Sequence, residues 1–291
     1  MAGTCSYSLD LAGFSLAVTT GQVYCLAAVS GKQLSIISSG GDGQLTVTQT
    51  LASGDLAAGS GYGAVCTSGT ASRIVISPNV DTAVISNMIC VDASAGNSIQ
   101  IGKGTLRGER EGINLIGSGT ILFTGDIYAL GSGALGVECR YGDVQVNGTV
   151  YSSGSGVSAQ NQGHVAVSED VVTNNAAGYY GVYSSEGGFV QITGDVTAPG
   201  RGVIAEGGAI SVEGSVTATG ADSIGAYARD LIASASQGTV SIAGSVSGRR
   251  YGAQALEGGT ILVGGDAAST AGSASFASAA VYSRGVGSMV I

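Results

Sequence analysis

The sequence predicts an all-β fold, a right-handed parallel β-helix of about ten or eleven coils, each of roughly 20–30 residues with three short strands. Three observations predict it. The phrase Gly187-Gly188-Phe189-Val190-Gln191-Ile192-Thr193-Gly194-Asp195-Val196-Thr197-Ala198 returns about 20 residues later as Gly207-Gly208-Ala209-Ile210-Ser211-Val212-Glu213-Gly214-Ser215-Val216-Thr217-Ala218. Within each copy the apolar residues take alternate positions, Val190 and Ile192 and then Val196 and Ala198, which is strand periodicity. Glycine, 51 residues against 2 prolines, punctuates these strands at fixed places. A unit this short cannot bury its apolar face alone and must stack on its neighbours; parallel crossovers make the stack right-handed.

Composition narrows the alternatives. With 44% hydrophobic and 11% charged residues the chain is too apolar for disorder of the charged kind, and collagen would need far more proline. The net charge of −9 is spread along the chain and no basic face exists to neutralise phosphates, so nucleic acid is not an expected partner. No apolar run is long enough for a membrane span. The first residues, Met1 to Asp10, lack the basic leader and apolar core of a secretory signal, so the chain is expected to work inside a cell or particle or to be a processed piece of a longer export product.

In chain order, residues 1–60 read as an N-terminal cap and a first coil with an insertion, and 61–291 as regular coils of one continuous domain. Leu9/Leu11 and Phe14/Leu16/Val18 alternate as strand and are expected to cover the open end. The inserted piece is expected at 38–43 with the strand Leu45/Val47. One inward column then runs Leu34/Ile36, Ile74/Ile76, Ile99/Ile101, Ile121/Phe123, Val144/Val146, Val165/Val167, Val190/Ile192, Ile210/Val212, Val240/Ile242, Ile261/Val263 and Met289/Ile291. A column of mostly small residues precedes it: Cys25, Cys66, Cys90, Leu115, Cys139, Ala159, Ser184, Ala205, Ala228, Ala255 and Ser283. A third follows it: Ile127, Val150, Val171, Val196, Val216, Val246 and Ala267. Three inward columns mean three strands per coil, and at about 4.8 Å per coil the stack would be a rod roughly 50 Å long. The last strand, at Ile291, has no cap, so it reads as a cleavage end or as a surface for end-to-end self-association at the C-terminal coil.

Candidate chemistry is sparse. Four of the five cysteines are expected as inward fillers of the small slot, with a Cys66–Cys90 disulfide conceivable on neighbouring coils. The lone His164 has no marked nucleophile beside it. Glu186 and Glu206, both in Glu-Gly-Gly turns, are weak candidates for a carboxylate pair about 5 Å apart, the separation of a retaining glycosidase. Asp170 and Asp195, in equivalent turns, are weak candidates for a calcium site, against the reading that they cap turns. No cofactor motif is present, so none is expected. Arg107 and Arg110 lie in the densest charge cluster, Arg107-Gly108-Glu109-Arg110-Glu111, read as a loop. The outward column beside the small slot reads Tyr24, Val65, Ile89, Asn114, Glu138, Ser158, Tyr183, Ile204, Tyr227, Gln254 and Tyr282. Its run Tyr183, Ile204, Tyr227 is expected to form an apolar contact stripe suited to sugar rings or a protein.

Across about Ser72 to Ile291 these phrases, GGFVQITGDVTAPGRGVIAEGGAISVEGSVTATG above all, resemble the repeats of bacterial surface and adhesin-like β-helix proteins, including autotransporter-type passenger domains, which share the pectin-lyase-like fold. The resemblance implies an extracellular or cell-surface rod within a longer exported protein. The expected function is then a non-catalytic structural or adhesin-like rod that binds a carbohydrate or a host or cell-surface protein. The alternative is a carbohydrate-active enzyme, a polysaccharide lyase or hydrolase or a phage tailspike-like protein.

Overall fold

The computed structural model describes residues 6–52, 63–174, 179–231, 236–270 and 278–291, and among them every regular element is a strand. The strands stack in parallel as a β-solenoid of about eleven turns. The chain divides into two compact units, Met1–Gly148 and Thr149–Ile291, each built from the same three-strand coil.

The second unit is the more regular. One coil runs Tyr180–Ser185, Phe189–Ile192 and Val196–Ala198, and the next runs Arg201–Glu206, Ala209–Val212 and Val216–Ala218. Its second strands stack Val165, Val190, Ile210, Val240 and Ile261 on one another, and its third strands stack Val150, Val171, Val196, Val216, Val246 and Ala267. Its first strands align Ala159, Ser184, Ala205, Ala228, Ala255 and Ser283. The last rung differs from expectation by one residue: Val290, not Met289 or Ile291, lies opposite Ile261. Because side chains alternate faces, that single step turns Met289 and Ile291 outward.

In the first unit, Leu34, Ile74, Ile99, Ile121 and Val144 stack as the inward column requires. One N-terminal expectation changes. Ser6–Asp10 pairs with Gln33–Ile37 and Ser15–Thr20 with Gly43–Gln49, so the segments that hold Leu9 and Leu16/Val18 are strands of the first rung of the stack. Gly43–Gln49 also pairs with Val80–Ser86, which makes the Leu45/Val47 strand the third strand of its coil and not an insertion. The extra residues of that coil at 53–62 lie outside the described residues.

The first-strand register of this unit departs furthest from expectation. Ala27, Cys66, Asp92, Asn114 and Glu138 share one ladder, and Ala28, Thr67, Ala93, Leu115 and Cys139 the next. The cysteines therefore occupy different slots. Cys139 sits in the small slot, where its thiol donates to Gly142 O at 3.1 Å, as the hydroxyl of Ser184 in that slot donates to Gly188 O at 2.6 Å. Cys66 lies one position over, on the other face. Cys90 packs near the coil's third strand, its thiol 3.6 Å from Val84 O. Cys25, Cys66, Cys90 and Cys139 are all free thiols, so the Cys66–Cys90 disulfide is not formed. Matching cysteine to cysteine had obscured the true offset between these coils.

Where the third strand bends into the next coil's first strand, the second unit places glycine at successive rungs: Gly156, Gly181, Gly202 and Gly225. A Cβ on Gly225 would lie 2.6 Å from Val246 Cγ2 and 2.5 Å from Gly252 O, inside van der Waals contact with both core and backbone. Overpacking of this kind costs about 1–3 kcal/mol. Gly225→Ala is therefore expected to lower the thermal midpoint by several degrees, whereas Thr197→Ala, on an exposed outward position, should leave it within error; equal midpoints in a calorimetric scan would contradict the corner packing.

Candidate functional site

Strand alternation puts two kinds of group on the outward face of the first strands. In the first unit the ladder is polar. Asn114 Nδ2 donates to Asp92 Oδ1 at 2.9 Å, and Arg140 bridges to Glu138 Oε1 through Nε at 2.8 Å. Glu111 begins the strand that carries Asn114, with Arg110 Nε 3.4 Å from its Oε1. Asp92 and Glu111 are each only 8% exposed. Burial raises the Asp92 carboxyl from 3.8 to about 6, against the Asn114 hydrogen bond that holds it down. Burial raises Glu111 from 4.5 to about 7, reinforced by the charges of Glu138 and Asp92 and opposed by Arg110 and Arg140. The Cys66 thiol, beside Asp92 on the ladder, is pushed up to about 12 by burial and by that carboxylate.

In the second unit the same ladder reads Ser158, Tyr183, Ile204, Tyr227, Gln254 and Tyr282. A flanking ladder reads Tyr180, Arg201, Ile224, Tyr251 and Ala279. The two close on each other. Ile204, Ile224, Tyr227 and Tyr251 form a buried apolar cluster with Tyr180, Tyr183 and Tyr282 packed half-buried against it. The expected stripe is thus present as a ladder, but its middle is not free for a partner: Ile204 is 4% and Tyr227 8% exposed, and the Arg201 guanidinium sits 5.5 Å over the Tyr227 ring. The early part of the expected column, Tyr24, Val65 and Ile89, is not on this ladder; Val65 lies opposite Val91 on the inward side.

The face opens near its last rungs. A cleft of about 520 Å³ lies beside the Tyr251 ring, lined by Tyr251, Gln254, Tyr282, Arg250 and Arg284. The Tyr251 and Tyr282 ring centroids lie 5.1 Å apart at 33°, and the Arg250 guanidinium sits 5.2 Å over Tyr251. Sequence reasoning put Gln254 and Tyr282 on the ladder but missed the cleft, because strand periodicity does not bring in the turn and corner residues Arg250, Glu257 and Gly285 that also line it.

The remaining candidates have structural partners. Asp170 Oδ1 accepts the Asp195 amide at 2.8 Å and Asp195 Oδ1 accepts the Ser215 amide at 2.7 Å. Ser215 and Ser245 continue the chain to the amides of Ser245 and Asp266 at 3.1 Å each. These turn residues cap one another from coil to coil, and no group of three or more His, Cys, Asp or Glu that could hold a metal occurs among the described residues. Glu206 lies opposite Ser185, not Glu186, because the turn at Glu186 is one residue longer and holds Glu186 at φ 51°. Glu206 instead accepts from Tyr183 Oη at 3.2 Å and pairs with Arg229 at 3.0 Å. His164 stacks on Phe189 of the next coil at 5.1 Å. Arg107 is not in a loop: it projects, exposed, from the strand Ser98–Gly108, while Arg110 belongs to the Glu111 cluster.

No family model, curated protein or solved structure matches the chain.

The raised carboxyls make stability pH-dependent with a definite sign. A carboxyl whose pKa is higher folded than unfolded stabilises the fold below about pH 4, and that contribution is lost as pH rises through about 6–7. Asp92→Asn removes one such group. Denaturant melts of the two proteins should show the variant gaining on the native chain by on the order of 1–3 kcal/mol between pH 4 and pH 8; parallel pH profiles would show that Asp92 is solvated.

Proposed function

We propose that this chain is a non-catalytic, adhesin-like binding solenoid that recognises carbohydrate through the outward face of its first strands. The observation that carries the reading is the cleft of about 520 Å³ lined by Tyr251, Gln254 and Tyr282, where the half-exposed Tyr282 ring ends the aromatic ladder over the buried Tyr251. Its volume falls in the range of small-ligand sites, about 300–1,000 Å³. Tyrosine offers a flat apolar face for the C–H side of a sugar ring and a hydroxyl at its edge, and Gln254 supplies both a donor and an acceptor. The rigidity of the stacked coils favours binding, because little order has to be created when ligand arrives.

A second reading, a glycan-cleaving enzyme, has one observation in its favour. Asp92 and Glu111 carry carboxyls raised to about 6 and about 7, where a general acid works best. Both are more than nine-tenths buried and are held among Asn114, Arg110 and Glu138, which suits a folded core better than a substrate site.

On a glycan array the native chain should bind a subset of oligosaccharides. Tyr282→Ala should lose roughly 5- to 12-fold in affinity for them, since stacking contacts of this kind are worth on the order of 1–1.5 kcal/mol. Gln145→Ala, exposed on the first unit, should bind as the native chain does. Absence of glycan binding, or full binding by Tyr282→Ala, would reject the reading. Release of new reducing ends or unsaturated products from any bound polysaccharide would favour the enzyme instead.

A further inference from the structure

We infer that the Tyr251/Tyr282 cleft is selective for an acidic sugar, one bearing a carboxylate or a sulfate ester; this rests on the carbohydrate reading above and narrows it. The protein as a whole carries a net charge of −9, yet this cleft concentrates two arginines, Arg250 and Arg284, against one acid, Glu257. The reversal is local and follows from the register. Arg284 lies opposite Leu256, two positions beyond the Tyr282 and Gln254 rung and therefore on the same outward face. Arg250 enters from the preceding corner, its guanidinium over the Tyr251 ring. The two guanidinium groups thus belong to opposite ends of the strand pair, with the aromatic floor between them.

Each end has a different character. Arg250 is half-buried and fixed by its ring contact, so its planar fork is already oriented before ligand arrives. Arg284 is exposed and makes no ion pair at 4.0 Å or less among the described residues, so it is available to an incoming anion. Arginine presents its donors in a plane that matches the two oxygens of a carboxylate or sulfate. A sugar ring packed on the half-exposed Tyr282 would therefore present its acidic substituent to Arg284, two residues along the same face. Of the two other arginines on the aromatic face, Arg229 is committed to Glu206 at 3.0 Å and Arg201 lies over the ring of Tyr227, which is only 8% exposed, so the cleft is where two arginines line an open space beside a half-exposed tyrosine.

Two matched pairs of probes separate charge from sugar: hyaluronan oligosaccharides with their carboxyl-reduced counterparts, and dextran sulfate with dextran. Calorimetric titration of the native chain is expected to show at least ~10-fold tighter binding of the charged member of one pair, and the pair that responds tells carboxylate from sulfate. Arg284→Ala should weaken binding of the charged member at least ~10-fold more than binding of the neutral member, and Arg284→Lys should restore the preference in part. Arg284 is exposed, so both variants should melt as the native protein does. Charged and neutral members bound alike would overturn the acidic-sugar inference while leaving the carbohydrate reading standing. Failure of all four probes to bind would count against both.

Discussion

Everything in this fold depends on the in-register hydrogen bonding of one coil to the next. A parallel ladder leaves no freedom to offset neighbours without turning every side chain to the wrong face. Each residue therefore meets the residue in its own slot one coil above and below, and each slot becomes a column with one physical requirement. The inward columns require branched apolar side chains, as in Val165, Val190, Ile210, Val240 and Ile261. The corner column requires no side chain at all, as in Gly156, Gly181, Gly202 and Gly225. The turn column requires an acceptor for the next coil's amide, which either a carboxylate or a hydroxyl supplies, as Asp170, Asp195, Ser215 and Ser245 do in succession.

Columns of this kind explain what was legible in the sequence. Where steps between coils are regular, a column of like residues can be read directly, and the second-strand and third-strand ladders of the second unit follow the repeat phrase through to Ala267. Where a step changes length, like residues no longer mark like positions. Cys66 and Cys90 invited alignment with each other because cysteine is rare, yet backbone pairing places Cys66 opposite Asp92. That slip hid the polar ladder Asp92, Asn114 and Glu138. Glu186 and Glu206 show the same effect on a smaller scale: identical Glu-Gly-Gly phrases differ by one turn residue, and the carboxylates leave register. Burial was the other quantity periodicity could not supply. It distinguishes outward from inward but not exposed from covered, and Tyr227 faces outward while remaining 8% exposed.

The outward face of the first strands is where the coil's requirements relax, and there the two units differ most. In the first it carries carboxylates held in low-dielectric surroundings, which shift their protonation toward neutral pH. In the second it carries tyrosines that pack on one another and on arginine guanidinium groups. A cleft opens beside the last two rungs of this face, lined by Tyr251, Gln254, Tyr282, Arg250 and Arg284.

Paired cysteines test that register most directly. Ser211 and Ser241 lie opposite each other on adjacent coils, outside the core, so their Cα atoms should be roughly 4.8 Å apart. Ser241 in turn lies opposite Leu262, which puts Ser211 and Leu262 two coils apart, roughly 10 Å. A disulfide needs a Cα separation below about 7 Å. Mild oxidation of the Ser211→Cys/Ser241→Cys protein, followed by mass spectrometry of its proteolytic peptides, should give an intramolecular cross-link in most molecules, and Ser211→Cys/Leu262→Cys should give none. Equal cross-linking of the two pairs, or none in the first, would contradict the stacked register and with it the placement of both outward ladders.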